Sequence, residues 1–124
     1  MSLCLCGSGR PAADCCARHH AGEPAATPEA LMRSRYSAYV LGLTDYLLAT
    51  WHPTTRPAAL MPDEAGLKWL GLDVRRCAMQ DTDHGTVEFV ARSKLGGRAH
   101  RLHETSRFVR ENGRWFYLDG DFVA

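Results

Sequence analysis

Four of the five cysteines in this 124-residue chain fall in one stretch, CLCGSGRPAADCC, residues 4–16. Such a cluster could ligate a metal, form disulfides or do thiol redox chemistry. The pattern is Cys4-x-Cys6, eight intervening residues, then the adjacent pair Cys15-Cys16. Disulfides within Cys4–Cys6 or Cys15–Cys16 would close strained small rings. A redox dithiol calls for C-x-x-C opening a helix after a strand, which is absent. Zinc takes four thiolate or imidazole ligands in a tetrahedron, and Gly7, Ser8 and Gly9 let the chain wrap around such an ion. Metal binding is therefore the expectation, with zinc the ion. His19 and His20 could replace one cysteine as ligand; otherwise they read as exposed residues of a short helix leaving the site. Cys77, far along the chain, reads as a small buried apolar residue.

A second set of residues could serve a pocket. In the stretch 100–111, side chains of a strand alternate faces. Leu102, Glu104, Ser106 and Phe108 share one face, and Arg101, His103, Thr105 and Arg107 the other. His103 and Glu104 therefore point apart and cannot form an acid–base dyad. Glu104, in a row with Leu102 and Phe108, is a candidate general base on an apolar face. His52, beside Trp51 at the end of a predicted helix, is a second catalytic candidate, or a cation favouring the helix dipole. Tyr36, Tyr39, Trp51, Trp69, Phe108, Trp115 and Tyr117 read as core or as the wall of a pocket. Between 92 and 114, Arg92, Lys94, Arg98, Arg101, Arg107, Arg110 and Arg114 outnumber Glu104 and Glu111. On one sheet face they would form a basic patch suited to RNA, ribosome or an acidic protein.

The elements that must position these groups follow from pattern and breakers. Residues 1–22 have too few large apolar groups for a core, and GEPAATPE (22–29) reads as a linker. Thr27 is an N-cap and Pro28 suits the first helical position. Met32, Tyr36, Tyr39, Val40 and Leu43 then recur at helical spacing. Gly42 ends that helix, and Thr44 caps a second over DYLLATWH that Pro53 stops. DEAGLKWL (63–70) predicts a further helical turn or two. Strands are predicted at about 72–82, 86–95, 100–111 and 114–123, with Asn112-Gly113 a strong hairpin turn. Helices first and an antiparallel meander after make an α+β domain over 23–124, preceded by a small module over 1–22. A larger domain with its own core predicts that metal removal unfolds only the module.

Composition narrows the function classes. Hydrophobic content of 45% supports a real core, and 15 basic against 14 acidic residues give a net charge of +1. Bulk charge therefore argues for neither nucleic acid nor membrane. No apolar run approaches the roughly 20 residues of a membrane span. The absence of a secretory leader pattern predicts a cytoplasmic protein with reduced thiols.

C-x-C-G-S-G followed by Cys-Cys resembles the SEC-C motif, a small zinc-binding module. RSRYSAYVLGLTDYLLATWHPTTR and HETSRFVRENGRWFYLDG are similar to the YchJ-like family of bacterial proteins, which joins that motif to a domain with the cone-shaped nuclear transport factor 2-like fold. The resemblance implies that Cys4, Cys6, Cys15 and Cys16 are the zinc ligands. Leu5 departs from the proline usual between the first cysteines, and Ala12-Ala13 from bulkier residues. Four cysteine ligands leave no open position for an activated water, so the zinc is expected to be structural. The expected function is a non-enzymatic adaptor whose zinc module recognises a protein or a ribosome/RNA partner. The alternative is a small-molecule enzyme (lyase, isomerase or hydrolase) or a ligand-binding protein acting in the cone pocket.

Overall fold

The structure is a computed structural model that describes residues 3–60 and 65–123. Near the N-terminus, a Leu3–Pro11 bridge closes the first cysteine loop, and a 3-10 turn Ala12–Asp14 leads into helix α1, Cys16–His20. Helix α2 runs Pro28–Leu41. Its start is as expected: the Thr27 side chain accepts from the Ala30 N–H at 3.1 Å and Pro28 fills the first turn. Gly42 ends it in the left-handed region at φ 72°. Helix α3 is shorter than expected. It covers Thr44–Ala49, with Thr44 inside it and Leu43 at the cap without a side-chain bond.

Four strands follow: β1 Lys68–Asp81, β2 His84–Leu95, β3 Arg98–Glu111 and β4 Arg114–Phe122. They form one antiparallel meander in the order β1-β2-β3-β4. Asn112 and Gly113 both take positive φ, 53° and 75°, as a two-residue turn matching the strand twist requires. The helical expectation for 63–70 fails. Asp63 and Glu64 lie outside the described residues, and Lys68, Trp69 and Leu70 already belong to β1. Trp69 is drawn into the sheet because its ring packs against Tyr36 and Tyr39 of α2, at centroid distances of 5.8 and 6.1 Å.

The chain after α3 does not continue as helix. Tyr117 donates its N–H to the Thr50 carbonyl and His52 donates to the Tyr117 carbonyl, both at 2.8 Å. This short pairing covers the edge of β4. Opposite the sheet lies α2, and Leu31, Met32 and Tyr36 meet Val87, Phe89 and Phe108 in the core. The four N-terminal cysteines belong to this same core. Residues 1–22, with too few large apolar groups for a core of their own, thus place their sulfurs where α2 packs.

Cys77 is corrected too. It is exposed, and its thiol donates to Glu29 Oε1 at 3.4 Å across the rim of α2. Burial, followed by the hydrogen bond to Glu29, pushes that thiol up to about 11.

Gly85 fixes how closely α2 approaches the sheet. A Cβ there would stand 2.7 Å from Pro28 Cγ and 3.0 Å from Met79 Sδ. The rigid Pro28 ring cannot move aside. Gly85→Ala should lower the unfolding free energy by about 1–3 kcal/mol, an overpacking cost. Urea denaturation checks this, and an unchanged midpoint would contradict it.

Candidate metal centre and adjoining cavity

The sulfurs of Cys4, Cys6, Cys15 and Cys16 all lie within 4.8 Å of one another and all four residues are buried. The fold brings the two pairs together by a tight return. Cys4 N–H donates to the Arg10 carbonyl at 2.8 Å, and Gly7 N–H to the Cys4 carbonyl at 3.2 Å. The 3-10 turn then delivers Cys15 and the first residue of α1 to the same spot. Cys6 and Cys15 stand 3.6 Å apart and Cys15 and Cys16 3.9 Å. The Cys6 thiol is drawn down to about 4, chiefly by its hydrogen bond with Cys16. That same bond, with burial, pushes Cys16 up. A set of four soft donors this close together is a possible metal site.

Groups around the cluster hold it in place. Ser8 Oγ lies 3.2 Å from Cys15 Sγ, and Ser37 Oγ of α2 lies 3.8 Å from Cys4 Sγ. Arg33 donates from Nη1 to the Cys6 carbonyl at 2.8 Å while its Nε pairs with Glu29 at 2.9 Å. The two histidines do not join the cluster and are not simply exposed. His19 is buried and donates from Nδ1 to the Glu23 carbonyl, and His20 donates from Nε2 to the Ser34 carbonyl, each at 2.8 Å. They brace the linker and α2 instead.

On the other side of α2 lies a cavity of about 300 Å³. Tyr36, Tyr39, Trp51, Trp69, Glu104 and Phe108 line it, and Ser106 and Tyr117 complete one wall. Trp115 does not. Although buried, it sits in a separate depression with Ala25 and Leu31, where Arg110 covers its ring at 5.6 Å.

Glu104 accepts from the Ser106 hydroxyl at 2.5 Å. Its carboxylate occupies space that only a glycine at 120 leaves open, since a Cβ there would meet Oε2 at 2.5 Å. Burial first, then the Glu104 charge, pushes the Tyr117 hydroxyl up to about 12.

The cavity holds a residue that the sequence reading passed over. Arg35 is 4% exposed, donates from Nη1 to the Leu47 carbonyl and the Thr50 hydroxyl at 2.7 Å each, and lies 5.1 Å from the Trp51 ring and 4.7 Å from that of Tyr117. Its signal was present: Met32, Arg35, Tyr36 and Tyr39 follow the i, i+3, i+4, i+7 pattern of one helix face.

His52 is absent from the cavity. Its Nδ1 accepts from the Thr54 N–H at 3.2 Å, which leaves Nε2 to donate to Glu111 at 2.7 Å. It lies just beyond the end of α3, outside the residues that line the cavity.

The arginine run also divides. Arg107 is held by Asp119 and Asp121 at 2.5 and 2.6 Å, and Arg110 by Asp83 at 3.1 Å. Arg92, Lys94, Arg98 and Arg101 remain exposed near the β2–β3 turn, with Arg92 and Arg101 directly opposed. His103 pairs with Glu88 at 2.7 Å, on the face away from Glu104. Among the described residues, no helix is long and apolar enough to cross a membrane.

Comparison with known proteins matches both parts of this arrangement. Residues 2–18 match the SEC-C motif, and residues 27–120 match the family described as YchJ, middle NTF2-like domain. A UPF0225 protein of Methylibium petroleiphilum is 62% identical over 118 residues, 94% of this chain and 87% of that one. The solution structure of a SEC-C motif containing protein from Rhodopseudomonas palustris is 38% identical, with a TM-score of 0.87 over 99% of this chain and 100% of that one. The crystal structure of a SEC-C motif containing protein from Psychrobacter arcticus is 28% identical, with a TM-score of 0.81 over 100% of this chain and 84% of that one. On its sequence, its four-strand sheet and its cysteine cluster, the chain belongs to the YchJ-like UPF0225 family, an NTF2-like domain led by a SEC-C motif.

Proposed function

We propose that Cys4, Cys6, Cys15 and Cys16 hold one zinc ion, and that the chain is a non-enzymatic adaptor whose zinc module recognises a protein partner. The observation that carries this reading is the closed set of four buried sulfurs. Zinc–thiolate bonds of about 2.3 Å in a tetrahedron place the sulfurs ~3.8 Å apart. The 3.6 and 3.9 Å separations fit that spacing. Four thiolates fill the coordination shell, so the ion would be structural, with no position for an activated water. Five free thiols suit a reducing compartment, the cytoplasm.

On the surface of the module, Leu3 and Leu5 are 65% and 49% exposed on either side of Cys4, whose N–H bonds to the carbonyl of exposed Arg10, while Arg18 is paired with Glu23. Exposed large apolar side chains with few free cations beside them favour a protein partner over ribosome or RNA. A catalytic use of the cavity is the second reading. Glu104 on its wall favours it, but His52, the other catalytic candidate, does not line the cavity.

Protein purified under reducing conditions should carry about one zinc per chain by elemental analysis. Zinc-free protein with four free thiols in the module would refute the site. Because the sulfurs share the main core, chelation should lower the thermal midpoint of the whole chain. A loss of ~2 kcal/mol or more corresponds to about 8 °C or more for a chain of this size. A midpoint unmoved by chelation would contradict the shared core. For the adaptor role, Leu3→Asp combined with Leu5→Asp should keep zinc but lose a partner captured from cell extract by the intact protein. Capture that survives these changes, or that nuclease treatment abolishes, would overturn the protein-partner reading.

A further inference from the structure

We propose that the cavity between α2 and the sheet is a receptor site for a small amphoteric molecule: a flat apolar body with one short tail that carries both a carboxylate and an ammonium group. This is independent of the adaptor reading and would stand if the zinc module had no partner.

Two opposite charges line one cavity without pairing. Arg35 is nearly inaccessible, and among the described residues no carboxylate comes within 4.0 Å of it. Its neighbours are a carbonyl, the hydroxyls of Thr50 and Tyr39 and aromatic rings, which support the guanidinium but do not neutralise it. Arginine stays charged even when buried, so the Arg35 end presents a fixed positive field in apolar surroundings. Glu104 stands on the β3 wall of the same cavity, oriented by Ser106 and given room by Gly120. A purely structural Arg–Glu pair would close on itself, since unpaired charges in an apolar site are costly. Here the two charges are kept apart.

The rest of the wall suits the body of the ligand. Trp69, Phe89, Leu102 and Phe108 offer flat apolar surface. Aromatic rings beside a carboxylate are also the usual setting for an ammonium group. The volume of about 300 Å³ sits at the lower end of small-molecule sites, which run from roughly 300 to 1,000 Å³. That size admits one ring with a short charged tail rather than a nucleotide or a peptide.

Four probes sharing one phenyl ring dissect the charges from the ligand side: L-phenylalanine, phenethylamine, 3-phenylpropanoate and neutral 2-phenylethanol. Titration of the intact zinc-loaded protein, read by tryptophan fluorescence and calorimetry, should give saturable binding in the order phenylalanine, then either single-charge probe, then the alcohol. Each charge should be worth about tenfold, the effect of one charge-assisted hydrogen bond. Comparing phenylalanine with phenethylamine tests Arg35 without replacing a side chain the fold depends on. Glu104→Gln should weaken phenylalanine and phenethylamine about tenfold while sparing 3-phenylpropanoate. Gly120→Ala should do the same by crowding the carboxylate without changing charge. Equal affinities for all four probes, phenethylamine binding unmoved by Glu104→Gln, or no saturable binding up to about 10 mM would each overturn the proposal. None of these outcomes bears on zinc or on the module's partner.

Discussion

The seat of α2 is the constraint on which the rest of the structure depends. A helix of 14 residues is marginal in water and gains its stability from what it packs against. This one is used on both sides. Ser37 stands beside the cysteine sulfurs, Arg33 reaches the Cys6 carbonyl and the Ser34 carbonyl accepts from His20. From the opposite side, Arg35, Tyr36 and Tyr39 project into the cavity. Movement of the cysteine cluster and reshaping of the cavity are therefore displacements of the same rigid rod.

The placement of polar residues makes this helix unusual. Ser34, Arg35 and Ser37 are all buried, so it lacks a simple apolar stripe. Their hydrogen-bonding capacity is met locally. Ser34 Oγ donates to the Leu31 carbonyl at 2.8 Å and shares a 2.7 Å bond with Tyr46, while Arg35 ties down the last turn of α3. Buried polar groups met in this way specify one arrangement of neighbours, because any shift leaves a donor without its acceptor. Tyr46 and Thr50 thus lock α3 against α2, and the pairing of Thr50 and His52 with Tyr117 passes that alignment to β4.

Local features of the chain were legible in the sequence. The cysteine spacing, the Thr27 cap, the Asn112-Gly113 turn and the alternation of Leu102, Glu104, Ser106 and Phe108 are each written within a few residues. What stayed hidden depends on distant partners. His52 finds Glu111 across 59 positions of sequence, and no local pattern announces that pairing. Trp115 and Tyr117 lie two residues apart on β4, yet they serve different depressions of the curved sheet. A register shift between Arg107 and Phe108 intervenes further along the same ladder. DEAGLKWL read as helix because its apolar spacing suits either period, and the stacking of Trp69 on α2 decides it. Arg35 was readable in principle, since it lies on the face of Met32 and Tyr39. A charge in that row looked like an interruption rather than a feature.

Gly120 carries a consequence for the family's sequence variation. Its missing side chain and the carboxylate of Glu104 occupy a single shared volume on adjacent strands. A side chain at 120 therefore displaces the flexible end of Glu104 from this wall, or favours a shorter residue at 104. The pair works as a compact marker, readable from an aligned sequence, that separates members keeping an acidic cavity wall from those that have given it up.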